Sequence, residues 1–142
     1  MRTAKKKNAV APTNASALAL APATPELEYK KLFARFEEAF LTHNIELMQT
    51  CLSPAFVWQL PNGQSAYGRE AAMAEMRKRF VMPNGPKFSD SVLRFKGTTV
   101  IQTYNVEYLG ADGGWRKSRG MDLYEIAGGL IVSKDAFWKM IP

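Results

Sequence analysis

The chain has 142 residues, 46 % of them apolar and 11 % aromatic, which suffices for one domain with a real core and excludes both two full domains and wholesale disorder. Its net charge of +6 does not mark a nucleic-acid binder: Arg2, Lys5, Lys6 and Lys7 crowd the first residues, and no basic stripe with interleaved aromatics follows. A lone cysteine, Cys51, excludes an internal disulfide and suits a reducing, cytoplasmic setting. No apolar run approaches the roughly 20 residues needed to span a bilayer.

Residues 1–24 read as a disordered, basic, Ala/Pro-rich tail without sustained period. Pro12, Thr13, Asn14 and Ser16 break the apolar stretch that an export signal would need. A single domain is expected over 25–142. Thr24-Pro25-Glu26 opens a helix with a capping Thr, Pro at its first position and an acid in its first turn. Tyr29, Leu32, Phe33, Phe36 and Phe40 form its apolar stripe, and His43-Asn44 ends it, with Asn44 expected in the left-handed conformation. A short second helix carries Ile45, Met48 and Leu52 and stops at Ser53-Pro54. A brief strand, Phe56–Leu60, breaks at Pro61-Asn62-Gly63. Tyr67-Gly68-Arg69-Glu70 starts a third helix, with Ala72, Met73, Met76 and Phe80 on one side, and 82–86 form a loop. The period then changes to two: Phe88–Phe95, Val100–Leu109, Trp115–Ile126 and Ile131–Trp138 read as strands. Helices followed by an antiparallel meander predict an α+β fold, with three helices packed on one face of a curled, mainly antiparallel sheet.

Two hairpins predict how the strands face. If Gly128-Gly129 is a two-residue turn, Ile126 faces Ile131, Tyr124 faces Ser133 and Asp122 faces Asp135. Asp122, Tyr124, Ser133, Asp135 and Phe137 then share one side. Two carboxylates directly opposite are unfavourable on an ordinary sheet, so this pair is the main functional clue. Across the Gly110–Gly114 loop, pairing Leu109 with Trp115 sets Glu107 on Lys117 and Asn105 on Arg119. Gln102, Tyr104, Val106 and Tyr108 fall on the other face, with Asp122 beside Gln102.

The order of elements, the Gly68-Arg69-Glu70-Ala71 helix start and the closing phrases Gly120-Met-Asp-Leu-Tyr-Glu-Ile126 and Gly129-Leu-Ile-Val-Ser-Lys-Asp-Ala-Phe-Trp138 resemble the SnoaL-like branch of the nuclear transport factor 2-like superfamily, over about residues 26–139. The resemblance implies an α+β cone enclosing a pocket, often a homodimer through the outer sheet face, in a group that includes polyketide cyclases, ketosteroid isomerases, scytalone dehydratases, limonene epoxide hydrolases and non-catalytic binding modules. It sets Asp122 where ketosteroid isomerases keep a protonated acid, and Asp135 near the last-strand acid of SnoaL-type cyclases and epoxide hydrolases. The chain departs from the pattern elsewhere. The isomerase base falls on Leu60, the epoxide hydrolase Arg-x-Asp is missing from Gln102-Thr-Tyr104-Asn-Val106-Glu, and the only histidine, His43, sits at a helix end.

On this reading Asp122 and Asp135 share a desolvated site, one ionised and one protonated. Asp135 is the expected base or acid, Asp122 orients it or donates to an oxyanion, and Tyr104 or Tyr124 assists. Trp58, Tyr67, Gln102 and Phe137 are the expected substrate-binding residues. The competing reading makes one acid a structural partner of a Tyr, Trp or amide, and the aromatics plain core. Cys51 reads as a small buried hydrophobe, and one His, one Cys and scattered acids give no metal-ligand spacing. The leading expectation is an acid/base enzyme without cofactor (a cyclase, isomerase or dehydratase) acting on a small hydrophobic carbonyl or cyclic compound. The alternatives are a binding module and a dimerisation module of the same fold.

Overall fold

The computed structural model describes residues 25–141; the expected tail and the capping Thr24 lie outside them. Helix α1 spans Pro25–Leu41, with Glu26 and Glu28 in its first turn, where acids complement the unsatisfied amides. Its stripe turns Leu32, Phe33, Phe36 and Ala39 into the core. At its end His43, not Asn44, takes the left-handed conformation (φ 54°). Asn44 is extended and caps helix α2, Ile45–Cys51, its Oδ1 accepting from the Leu47 amide at 3.0 Å. An Asn three residues before a helical amide does more as an N-cap than as a turn residue, so the turn moves one residue back.

Strand β1 is Leu52–Gln59, beginning earlier than expected. Pro54 is tolerated because the register against the last strand jumps between Leu52 and Val57. A three-residue strand, β2 (Ser65–Tyr67), pairs back on β1, with Val57 opposite Tyr67. Sequence period cannot reveal so short an element. Helix α3, Arg69–Phe80, buries Ala72, Met73 and Met76. Strands β3 (Lys87–Lys96), β4 (Thr99–Leu109), β5 (Trp115–Ala127) and β6 (Leu130–Trp138) complete one six-stranded sheet in the order β2-β1-β6-β5-β4-β3. Only β1 and β6 run parallel among these neighbours.

The β4–β5 hairpin pairs as expected, including Glu107 with Lys117, Asn105 with Arg119 and Gln102 with Asp122. The β5–β6 hairpin does not. It starts as expected, with Ala127 on Leu130 and Ile126 on Ile131, but then Glu125 pairs with Ser133. Val132 is an extra residue in β6, a bulge that offsets everything beyond it. Asp122 therefore faces Ala136, Tyr124 faces Lys134, and Asp135 faces Leu123.

The sheet holds α1 through edge-on aromatic contacts. Phe33 lies 4.9 Å from the Tyr124 ring, 5.7 Å from Phe95 and 5.9 Å from Phe36, and is 1 % exposed. Phe33→Ala should destabilise the fold by about 3–5 kcal/mol; chemical denaturation checks this, and a loss well under that range would show that α1 is held elsewhere.

Candidate functional site

Alternation along β5 turns Gly120, Asp122, Tyr124 and Ile126 toward the helices. Gly120 lies opposite Tyr104 on one side and Trp138 on the other. A Cβ there would overlap the Tyr104 ring and come 2.9 Å from the Trp138 ring, so only glycine lets both aromatics close over the strand. The Trp138 Nε1–H donates to the Tyr104 hydroxyl at 2.8 Å, and that hydroxyl donates to Asp122 Oδ1 at 2.7 Å. The Tyr124 hydroxyl donates to Gln102 Oε1 at 2.8 Å and lies 3.3 Å from Asp122 Oδ2.

The third polar partner of Asp122 is Lys134, brought inward by the β6 bulge. Its Nζ is 3.5 Å from Asp122 Oδ2, and it lies over the rings of Trp58, Phe40 and Tyr124 at 5.1, 5.8 and 5.8 Å. Asp122 is 4 % exposed and Lys134 7 %. A charge so buried persists only with a partner, and each provides the other's. The polar chain continues outward: Gln102 Nε2 donates to Ser91 Oγ at 2.8 Å, and Ser91 reaches Glu37 at 3.4 Å. A second bulge, between Ser89 and Val92, includes Asp90 at φ 55°, whose carboxylate accepts from Asn105 at 2.6 Å.

These groups wall a cavity of about 370 Å³ between the C-terminal half of α1 and strands β3–β6. Phe33, Phe36, Phe40, Phe88 and Leu93 give it apolar sides; Asp122, Lys134, Tyr104, Tyr124 and Gln102 give it a polar wall, and His43 and Glu37 also border it. Among the described residues no His, Cys, Asp and Glu group that could hold a metal ion comes together.

Of the residues singled out in the sequence, Asp122, Tyr104, Tyr124 and Gln102 meet here. Four do not line the cavity. Asp135 points to the opposite sheet face, since Asp122 and Tyr124 face inward and the bulge puts it beside Leu123; the expected carboxylate pair does not form. Phe137, displaced by the same offset, is 49 % exposed, and Tyr67 on β2 is 74 % exposed. Trp58 is buried in the core and packs against Lys134 instead of bordering the cavity. Lys134, Ser91 and Glu37 escaped the sequence reading. A bulge leaves no mark in side-chain alternation, and Phe36 and Phe40 looked like ordinary core.

Burial, followed by the Asp122 charge, holds the Tyr104 and Tyr124 hydroxyls well above the usual tyrosine range. Both therefore stay protonated donors at neutral pH. In the unfolded chain they ionise near the ordinary value of about 10. Their contribution to stability is thus complete below about pH 10 and is lost as pH rises beyond it. Alkaline titration followed by tyrosinate absorbance and circular dichroism should show at least two of the five tyrosines ionising only as the fold is lost; ionisation of all five with an intact fold would contradict the network.

Comparison with known proteins agrees with this architecture. The profile of the SnoaL-like domain matches residues 33–134. Among solved structures, a candidate polyketide cyclase from Xanthomonas campestris superposes with a TM-score of 0.65 at 19 % identity, covering 78 % of this chain and 90 % of its own. A candidate ketosteroid isomerase from Kribbella flavida gives 0.64 at 16 %, covering 81 % and 80 %. An NTF2-like protein of unknown function from Burkholderia pseudomallei gives 0.67 at 13 %, covering 79 % and 91 %. No curated protein matches. At these identities the structural likeness speaks to the fold, an NTF2-like α+β architecture with three helices and six strands among the described residues. The profile covers most of the chain and ends at Lys134, inside the polar wall just described: the chain belongs to the SnoaL-like domain family.

Proposed function

We propose that the cavity is the active site of an acid/base catalyst that needs no cofactor and acts on a small hydrophobic carbonyl compound. The observation that carries this is the unequal holding of Asp122. Its Oδ1 is anchored by Tyr104 at 2.7 Å, while Oδ2 has only longer contacts, 3.3 Å to Tyr124 and 3.5 Å to Lys134. Oδ2 is the oxygen left to take a proton, next to a cation able to stabilise negative charge, inside aromatic walls.

The reaction follows from that geometry. The substrate's carbonyl oxygen lies toward Lys134 and its adjacent C–H toward Asp122 Oδ2. The C–H bond breaks, its proton goes to Asp122, and the electron pair moves to the carbonyl oxygen as an enolate beside the Lys134 ammonium. Where the enolate is conjugated with a C=C bond, return of the proton from Asp122 to the far carbon moves that double bond and isomerises the compound. Where a second carbonyl is in reach, the enolate carbon bonds to its carbon, the C=O π bond opens to an alkoxide, and the alkoxide takes the proton back from Asp122 as the ring closes. Tyr104, itself fixed by Trp138, holds the carboxylate in place, and Gln102 fixes Tyr124. Asp135, on the other sheet face, has no role in this scheme.

The test needs no knowledge of the natural substrate. Exchange of the α-protons of a compact aromatic ketone, such as 1-indanone, in heavy water should be accelerated by the protein. The acceleration should fall at least about 100-fold in Asp122→Asn, with ketone binding retained. Exchange no faster than in buffer, across a panel of such ketones, would remove the enzyme reading.

A second reading is favoured by one feature: both Asp122 oxygens already face groups of the chain itself, as in a site built only to hold a ligand. A small molecule recovered chemically unchanged from the protein would support it. In either case we infer a homodimer through the outer sheet face, where Met121, Val92 and Phe137 are exposed at 36, 46 and 49 %. Sedimentation at micromolar concentration should give twice the chain mass, and a monomer would count against that interface. We also retain a cytoplasmic setting, supported by the single, buried Cys51; no described helix is long and apolar enough to cross a membrane.

A further inference from the structure

A second cavity, of about 460 Å³, opens behind Trp138, where the end of α3, the loop after it, the β1–β2 turn and the end of β4 converge. We infer that it is a separate binding site for a small aromatic carboxylate.

Three observations carry the inference. First, the charge is one-signed. Among the described residues lining this cavity, Arg79 is the one charged side chain, in contrast to the mixed charges of the first cavity. Secondly, the guanidinium is already oriented. Its Cζ lies 5.4 Å from the centre of the Trp58 ring, and its Nη2 is 3.3 Å from Glu75. Its Nε–H is buried and has no hydrogen-bond partner. That nitrogen is closed off even to water, so a carboxylate in the cavity meets the other N–H groups of the guanidinium, whose fixed plane suits it to carboxylate oxygens. Thirdly, the walls fit a flat ring. Pro61, Pro83 and Pro86 border the cavity with Tyr108 and Trp138, and prolines restrict the backbone, so little is lost in ordering it on binding.

The two cavities meet at Trp138. Its indole faces the second, and its Nε1 donates to Tyr104, which lines the first. Phe88, a wall of the first cavity, lies 6.0 Å from the same indole. An occupant of the second cavity is therefore one side chain away from the hydroxyl that anchors Asp122.

Methionine methyl groups separate the two sites. Met82 and Met140 line the second cavity, whereas no methionine is among the described residues lining the first. The full chain, labelled at methionine methyl carbons and indole nitrogens, is titrated with 2-naphthoate. Saturable shifts of Met82, Met140 and the Trp138 indole are expected. The neutral ketone 2-acetonaphthone should bind there at least about tenfold more weakly, and Arg79→Gln should weaken naphthoate by a similar factor. Because Arg79 also packs on Trp58, a second variant decides the matter if Arg79→Gln fails to fold: Glu75→Gln frees the guanidinium and should tighten naphthoate binding severalfold. Three results would each overturn the assignment: unmoved Met82 and Met140 signals at millimolar naphthoate, equal binding of the ketone, or unchanged or weaker naphthoate binding in Glu75→Gln.

Discussion

A carboxylate buried to 4 % exposure sets the terms for the rest of this structure. An ionised group removed from water costs several kcal/mol unless charge and hydrogen bonds replace the lost hydration. Asp122 obtains that replacement from three elements: Tyr104 on β4, Tyr124 on its own strand and Lys134 on β6. Each partner has its own requirement. Tyr104 can lie across β5 only because residue 120 is glycine. Lys134 faces inward only because β6 has one residue too many. Tyr124 also forms the aromatic contact on which Phe33 rests, 4.9 Å away, so the polar wall and the seating of α1 share a side chain.

The same residues that close the core also shape the cavity. Phe36 and Phe33 are buried and contribute hydrophobic stabilisation in the ordinary way, yet both border the empty volume. Toward the end of α1 the stripe meets the third helix as well as the edge of the sheet. Phe40 meets Phe80 and Phe88 edge-on at 5.9 Å, and His43 stacks on Phe80 at 4.3 Å. The cavity lies between this half of the helix and the sheet, bordered by Phe33 and Phe36 at one side and Phe40 and Phe88 at the other. Leu60, where ketosteroid isomerases place a base, is 4 % exposed and belongs to the core. The groups of the polar wall are thus concentrated on β4, β5 and β6.

The fold was legible because its signals were local and repeated. The stripe of α1, the change of period after residue 86 and the charge pairs across β4 and β5 each predict an element or a register, and all agree with one another. Half the site was legible for the same reason: Gln102, Tyr104, Asp122 and Tyr124 follow from the β4–β5 register alone. The other half turned on Val132. Its side chain is apolar and β-branched like those beside it, so nothing in the sequence marks it as unpaired, yet it decides whether Asp135 or Lys134 looks inward. His43 and Asn44 show a milder form of the same problem. Either residue suits a left-handed turn, and the choice was made by the helix that follows.

The β6 bulge gives the ion pair a further consequence. Ironing out Val132 by sliding the strand one step would keep the hairpin's hydrogen-bonding pattern and its apolar alternation largely serviceable. It would also bring Asp135 against Asp122 and carry Lys134 to the other face. Two facing carboxylates in place of an ion pair make that alignment the costlier of the two. The charges on this wall therefore act as a selector between two alignments of one hairpin, and a single inserted or deleted residue, without any change of side chain, is enough to reverse the sign of the group on β6 that faces Asp122.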